Sequence, residues 1–260
     1  VWFPFTDWDE ARGKGQDGAG GEARDTMKQR LVILGIVVLL LGIGGVMFSR
    51  FRKQAPAPRE PQGGSVKLPT PVFDSEVSIE EALLKRRSVR EYQAEALALG
   101  EVSQLLWAAQ GITKPPRYRT APSAGALYPL EVYVMAGEVV DLADGVYRYQ
   151  PEGHSLDLIR EGDWRSALRS AALDQEFIEE APLVILIAAV YERTTGKYGD
   201  RGIPYVHMEV GTAAQNIYLQ SVSLDLGTVF VGAFYDEEVK QIMGLKSEEV
   251  PLCLMPVGRK

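Results

Sequence analysis

Hydrophobic positions along this chain change their pattern from region to region. From Leu31 to Phe48 the sequence reads L-V-I-L-G-I-V-V-L-L-L-G-I-G-G-V-M-F, without a charge. At about 1.5 Å per residue, this run spans ~27 Å as a helix, close to the hydrocarbon core of a bilayer. Lys28, Arg30, Arg50, Arg52 and Lys53 flank it, which favours a transmembrane anchor over a buried core helix. From Gln54 to Pro71 the residues turn to Pro, Gly, Gln and Ser, as in a tether that packs against nothing. Beyond Val72 short apolar runs and helical periodicities alternate, as in a folded domain.

Within that domain Ser78 and Glu81 have capping-box spacing and open a helix through Leu84. A second helix is expected from Leu99 to Gln110, with Val102, Leu105, Leu106 and Ala109 on one face. Strands are expected at Leu130–Met135, Gly145–Tyr149 and Ser155–Ile159, the last two a hairpin around Q-P-E-G. Helical pieces at Trp164–Ala172 and Gln175–Glu180 precede Leu183–Val190, an apolar run typical of a central strand. The longest helix is expected from Val206 to Val222, with Val210, Ala213, Ala214, Ile217 and Leu219 turned inward. Strands at Gly227–Phe230 and Leu252–Val257 enclose a helix at Glu237–Met243. Helices and strands mix without regular alternation, so the expected class is α+β.

Charge narrows the partners. Residues 1–80 are balanced, and the whole net charge of −7 falls in residues 81–260. An acidic domain of this kind argues against nucleic acid. Cys253 stands alone in an apolar run, which excludes an intrachain disulfide and suits a buried, inert thiol. His154 and His207 lack metal-ligand spacing, so no metal site is expected.

The first methionine, Met27, opens M-K-Q-R ahead of the apolar run, the layout of a signal anchor. Residues 1–30 are expected to be a disordered or upstream extension, 31–48 the anchor, 49–71 the linker and 72–260 the domain. No small-x-small site follows Phe48, so the anchor is expected to stay uncleaved. Basic residues flank both its ends, which leaves the side of the membrane open.

One feature breaks the acidic pattern. Lys85, Arg86, Arg87 and Arg90 crowd around Ser88 in K-R-R-S-V-R-E-Y, just after the first helix. Such a run is commonly a solvated face. It is also what a small phosphorylated ligand requires, since cations and a hydroxyl supply charge-assisted hydrogen bonds.

Taken in order, K-R-R-S-V-R-E-Y, A-P-S-A-G-A-L-Y-P (121–129), E-V-G-T-A-A-Q-N-I-Y-L-Q (209–220), G-T-V-F-V-G-A-F (227–234) and the terminal P-V-G-R-K resemble the nitroreductase superfamily, and within it the SagB/ThcOx-type branch. The resemblance covers about residues 76–260. It implies a mostly antiparallel central sheet flanked by helices, bound FMN and a homodimer. Carried over residue by residue, it assigns the FMN phosphate to Arg86, Ser88 and Arg90, with Arg87 adjacent, and to Arg259 near the chain end. Pro122, Ser123, Ala124 and Gly125 would be a loop packing near the flavin of the partner subunit. Some relatives have a flavin-touching Asn where this chain has Ala126. Val231 and Gly232 would offer N–H groups to the flavin, and Gln215 and Asn216 lie on the expected interface helix. Lys197 and Tyr198 resemble a Lys-Tyr pair that azoline dehydrogenases use for proton removal, although exposed loop residues are the plainer reading.

The function so implied is FMN-dependent oxidoreduction in a membrane-tethered homodimer. NAD(P)H would dock transiently as donor, or a small-molecule or modified-peptide substrate would be oxidised. The rival from another class is a flavin-free, membrane-anchored binding subunit.

Overall fold

The computed structural model describes residues 64–116 and 118–260. The expected extension, the anchor at 31–48 and the linker up to residue 63 lie outside the described residues. Among the described residues no helix is long and apolar enough to cross a membrane.

A seven-stranded sheet organises the domain. Its strands are β1 (Ser65–Lys67), β5 (Leu130–Ala136), β7 (Gly145–Gln150), β8 (Ser155–Glu161), β9 (Leu183–Ala189), β10 (Leu226–Thr228) and β11 (Val250–Arg259). They lie in the order β1-β8-β7-β5-β9-β11-β10, and every neighbouring pair is antiparallel. The short strands β2 (Leu97–Ala98) and β6 (Val139–Val140) pair with each other, as do β3 (Ile112–Lys114) and β4 (Tyr118–Arg119).

Helices cover both faces of the sheet. On one, α2 (Leu99–Gln110) and α6 (Gly202–Ser223) pack their apolar stripes on Val132, Val134, Ile185 and Ile187. On the other, α3 (Arg165–Ala171), α4 (Phe177–Glu180) and α7 (Asp236–Met243) cover Met135, Val184, Leu186 and Leu254. Strand β9 contributes alternate residues to each core, so all seven of its residues are buried. That double burial is why its sequence reads as an unbroken apolar run.

Helix α1 (Ile79–Lys85) is capped as its spacing predicts, with Ser78 Oγ accepting from Glu81 N at 3.1 Å. Helix α6 starts four residues ahead of Val206, because Pro204 falls in the first turn, where its missing N–H costs nothing. Its buried stripe includes Tyr218 in place of the expected Leu219, which is only partly buried.

Other expectations shift as well. Strand β1 lies inside the stretch read as linker, so the folded unit begins before Val72; its register with β8 supplies the burial that its composition hides. The segment before Gly199, read as loop, forms helix α5 (Glu192–Tyr198). Strand β11 runs to Arg259 because β9 and β10 flank its two halves. Strand β10 ends at Thr228, short of Phe230, whose N–H leaves the ladder for a side-chain hydroxyl on α6.

Candidate functional site

Two clusters of expected site residues lie along α6. The first gathers at Tyr218. After α1 the basic run leaves helical geometry at Arg86, and Ser88 bridges to Thr228, with Val89 N donating to Thr228 O at 2.9 Å. Gly227 allows this approach, since a Cβ there would lie 2.6 Å from Val89 Cγ1. Tyr218 Oη lies 3.2 Å from Ser88 Oγ and accepts from Phe230 N at 2.7 Å. The Arg86 guanidinium stands 5.1 Å above the Tyr218 ring, a cation–π distance. One tyrosine thus joins the basic run to the 228–231 segment.

The far end of the run is pinned by Tyr92, whose single hydroxyl proton is shared between Val89 O at 3.0 Å and Pro256 O at 3.2 Å. Burial holds its phenol well above the usual range, so it stays a donor.

Not every expected phosphate ligand joins this cluster. Arg87 turns back to donate to Leu84 O at 2.9 Å and Arg86 O at 2.7 Å. The Arg90 guanidinium lies 5.9 Å above Phe177, toward the other core. Arg259 is the clearest departure. Glu101 holds it at 2.7 Å and Glu95 at 3.3 Å, so its charge is already neutralised. By contrast, Arg86, Arg87 and Arg90 make no ion pair among the described residues. The role expected of Val231 also changes: its N–H is spent on Leu254 O at 2.9 Å. Gly232, exposed beside it, has an N–H without a partner among the described residues.

The second cluster gathers at Glu209. This carboxylate is buried on α6, and its Oε1 accepts from Ala124 N at 2.8 Å. Burial raises its pKa, while hydrogen bonds from Ala124 N and the Ser123 side chain pull the other way. Ser123 Oγ in turn accepts from Tyr128 N at 2.8 Å. The loop Pro122–Gly125 is therefore held from inside the fold. At its tip Gly125 has φ +62°, and a Cβ there would lie 2.8 Å from Tyr198 Oη and 2.9 Å from Lys197 Nζ. Lys197 Nζ stands 5.3 Å above the Tyr198 ring, and Tyr198 packs edge-on against Tyr205. The loop and the Lys-Tyr pair, more than seventy residues apart in sequence, form one surface.

Tyr218 and Glu209 were not singled out as site residues. A signal existed: both lie in the motif 209–220, and a Glu on the apolar stripe of a helix needs a partner. Asn216, on the helix expected at the interface, donates to Ala108 O at 3.0 Å and ties α6 to α2. Cys253 is buried, which pushes its thiol up to about 12 and keeps it inert.

Comparison with known proteins shows the family and the fold. The model of the Nitroreductase family matches residues 83–259. A Methanocaldococcus jannaschii protein bearing the nitroreductase name is 54% identical over 198 residues, covering 76% of this chain and 98% of its own. The microcin B17-processing protein McbC of Escherichia coli is 28% identical over 146 residues, 54% of each chain. Among solved structures, one from Ralstonia eutropha that also bears the nitroreductase name superposes with a TM-score of 0.68 at 30% identity, covering 80% of this chain and 95% of its own. The E. coli microcin synthetase McbBCD complex shares the fold, with a TM-score of 0.59 at 21% identity over 82% of this chain and 80% of its own.

Proposed function

The chain belongs to the nitroreductase family, and on that premise we propose that it is an FMN-dependent oxidoreductase of the SagB type, working as a membrane-tethered homodimer. The observation that carries the reading is the Tyr218 junction. It sets the Arg86 guanidinium, which has no carboxylate partner among the described residues, and the Ser88 hydroxyl around one tyrosine that also holds Phe230 N–H, and a cation beside a hydroxyl is what a phosphate monoester asks for. FMN, when bound, supplies two-electron chemistry. Arg86 and Ser88 would hold its phosphate, joined by Arg90 from the rim, and Gly232 would donate its N–H toward the ring. Arg259, held by Glu95 and Glu101, would orient the run through Gln93 and leave the phosphate to the others.

Glu209 and Tyr218 stand nine residues apart, about 14 Å along a helix. One subunit therefore keeps its anion cradle and its Lys-Tyr surface separate. Exposed Leu83 and Leu84 on α1 and Ile203 and Met208 on α6 offer an apolar surface to a second copy. In such a dimer the 122–125 loop of one subunit would approach the cradle of the other. Lys197 would take a proton from the substrate and Tyr198 would relay it, with Gly125 leaving them room.

The substrate class we favour is a modified peptide, an expectation supported by the Lys-Tyr pair and the likeness to McbC; NAD(P)H as transient donor to a small-molecule acceptor is the second reading. Segment 31–48 would be the tether. The test is the absorbance of the purified protein. A yellow protein that releases FMN on denaturation is expected, and one that stays colourless after FMN is added would overturn the reading in favour of a flavin-free binding subunit.

A further inference from the structure

Strands β5 and β7 come apart at one end. Their pairing runs from Ala136 with Gly145 to Tyr133 with Arg148 and stops there. Leu130, Glu131 and Val132 keep their partners on β9, while Tyr149 and Gln150 keep theirs on β8. On the sides that face each other, these two segments have no strand partner. A cavity of about 190 Å³ lies between them. Sites for drug-sized ligands occupy roughly 300–1,000 Å³, so this one is too small for a flavin and suits a residue or two of extended chain. Its walls present main-chain groups at a strand edge, the surface that an added peptide strand uses.

Guanidinium groups dominate the side chains around the gap. Arg148 and Arg193 hold Glu131 between them at 2.8 and 2.5 Å. Arg193 also donates to Tyr128 O at 2.9 Å, and buried Glu249 lies behind Arg148 at 3.7 Å. Arg119 is different. Its guanidinium stands 4.5 Å above the Tyr128 ring and donates to the neutral amide of Gln110 at 3.1 Å. Its one carboxylate neighbour among the described residues is Glu152, 3.4 Å away with a side chain 68% exposed. With its carboxylate mostly in solvent, a pair at that distance contributes little. Three guanidiniums and two carboxylates, Glu131 and Glu152, line the cavity, with Glu249 behind Arg148, so a bound carboxylate gains Arg119 by displacing the solvent-exposed Glu152.

We propose that this gap binds the carboxylate end of an extended peptide. The carboxylate takes the Arg119 fork from Glu152, and the preceding amides pair with the free edges of 130–132 and 149–150. Arg193 precedes Lys197 by one turn of α5, so the gap adjoins the Lys-Tyr surface. The inference goes beyond the flavin reading and stands without it, since binding here needs no flavin.

The test titrates N-acetyl-trialanine, as free acid and as C-terminal amide, into the full chain in detergent, followed by backbone amide chemical shifts. The free acid is expected to bind about 10-fold or more tightly than the amide and to shift the amides of 130–132 and 149–150. Arg119→Gln should abolish that preference and leave the rest of the spectrum in place. Glu152→Ala should tighten free-acid binding about 2- to 5-fold, because it removes the competing carboxylate. Equal binding of acid and amide, or shifts confined to other residues, would overturn the proposal. Displacement by inorganic phosphate at the peptide's own concentration would also overturn it, leaving a bare anion site. Should Arg119→Gln fail to fold, Glu152→Ala decides alone, and an unchanged affinity counts against the peptide site.

Discussion

The two ends of helix α6 are built on opposite electrostatic plans. Around Tyr218, neutral hydroxyls and backbone amides hold the chain in place, and the arginines of the basic run, unlike Lys85, which pairs with Glu81, are left without carboxylates. Around Glu209, a buried carboxylate does the holding, and the groups at the surface are an exposed amine and a half-buried phenol. The first end is suited to an anion that stays bound, the second to a proton that moves. One helix carries both and keeps them about 14 Å apart, so within a subunit the proposed anion cradle and the proposed proton-transfer surface stay separate.

Substitutions can test how separate the two ends are. The largest effect is expected from Arg86→Ala combined with Arg90→Ala. Each lost charge-assisted hydrogen bond removes about 1.5–3 kcal/mol, so FMN affinity should fall about 100-fold or more in a fluorescence titration. An unchanged affinity would show that the basic run serves another purpose. Gly125→Ala probes the other end. A left-handed backbone at a non-glycine residue costs about 1–2 kcal/mol, and the new Cβ displaces Lys197 and Tyr198. Turnover should drop about 10-fold while FMN affinity holds; loss of affinity instead would mean that the two ends are one site within a subunit.

Tyr218→Phe is expected to cost about 1 kcal/mol in denaturant unfolding, because Phe230 N and Ser88 Oγ lose a shared partner. FMN affinity should weaken with it, and no change in either would remove Tyr218 from the cradle. Glu209→Gln should have the smallest effect and a distinct pH signature. Burial raises this carboxyl's pKa in the fold, so its contribution is fully present below the unfolded value, about 4.3. It is lost as pH rises through the folded pKa. The melting temperature of Glu209→Gln should therefore gain on the wild type between pH 4 and pH 8, and a constant difference would refute the assignment.

Most of the fold was legible in the chain. Leu183–Val190 announced a strand buried on both faces, and the stripe Val210, Ala213, Ala214 and Ile217 marked the long helix. Ser65–Lys67 escaped notice because three residues in a polar stretch have no periodicity, and only pairing with β8 makes them a strand. Helix α5 escaped because T-T-G-K-Y has weak helical propensity and packing carries it. Of the site, the motifs were legible but their hydrogen-bond partners were not. Val231 N–H and Arg259 both looked free in sequence, and both are taken, by Leu254 O and by Glu95 and Glu101.

By itself the sequence determined the α+β class and the place of the long helix, because these follow from local periodicity, and it carried the family resemblance in the residue types gathered at each motif. Tertiary structure alone decided which cations stay unpaired, that Tyr218 joins the basic run to the 228–231 turn, and that Glu209 holds the loop beneath Lys197 and Tyr198. It also decided where β5 and β7 separate. Each of these depends on contacts between residues far apart in the chain, and a hydrogen bond or an ion pair is set by distance in space.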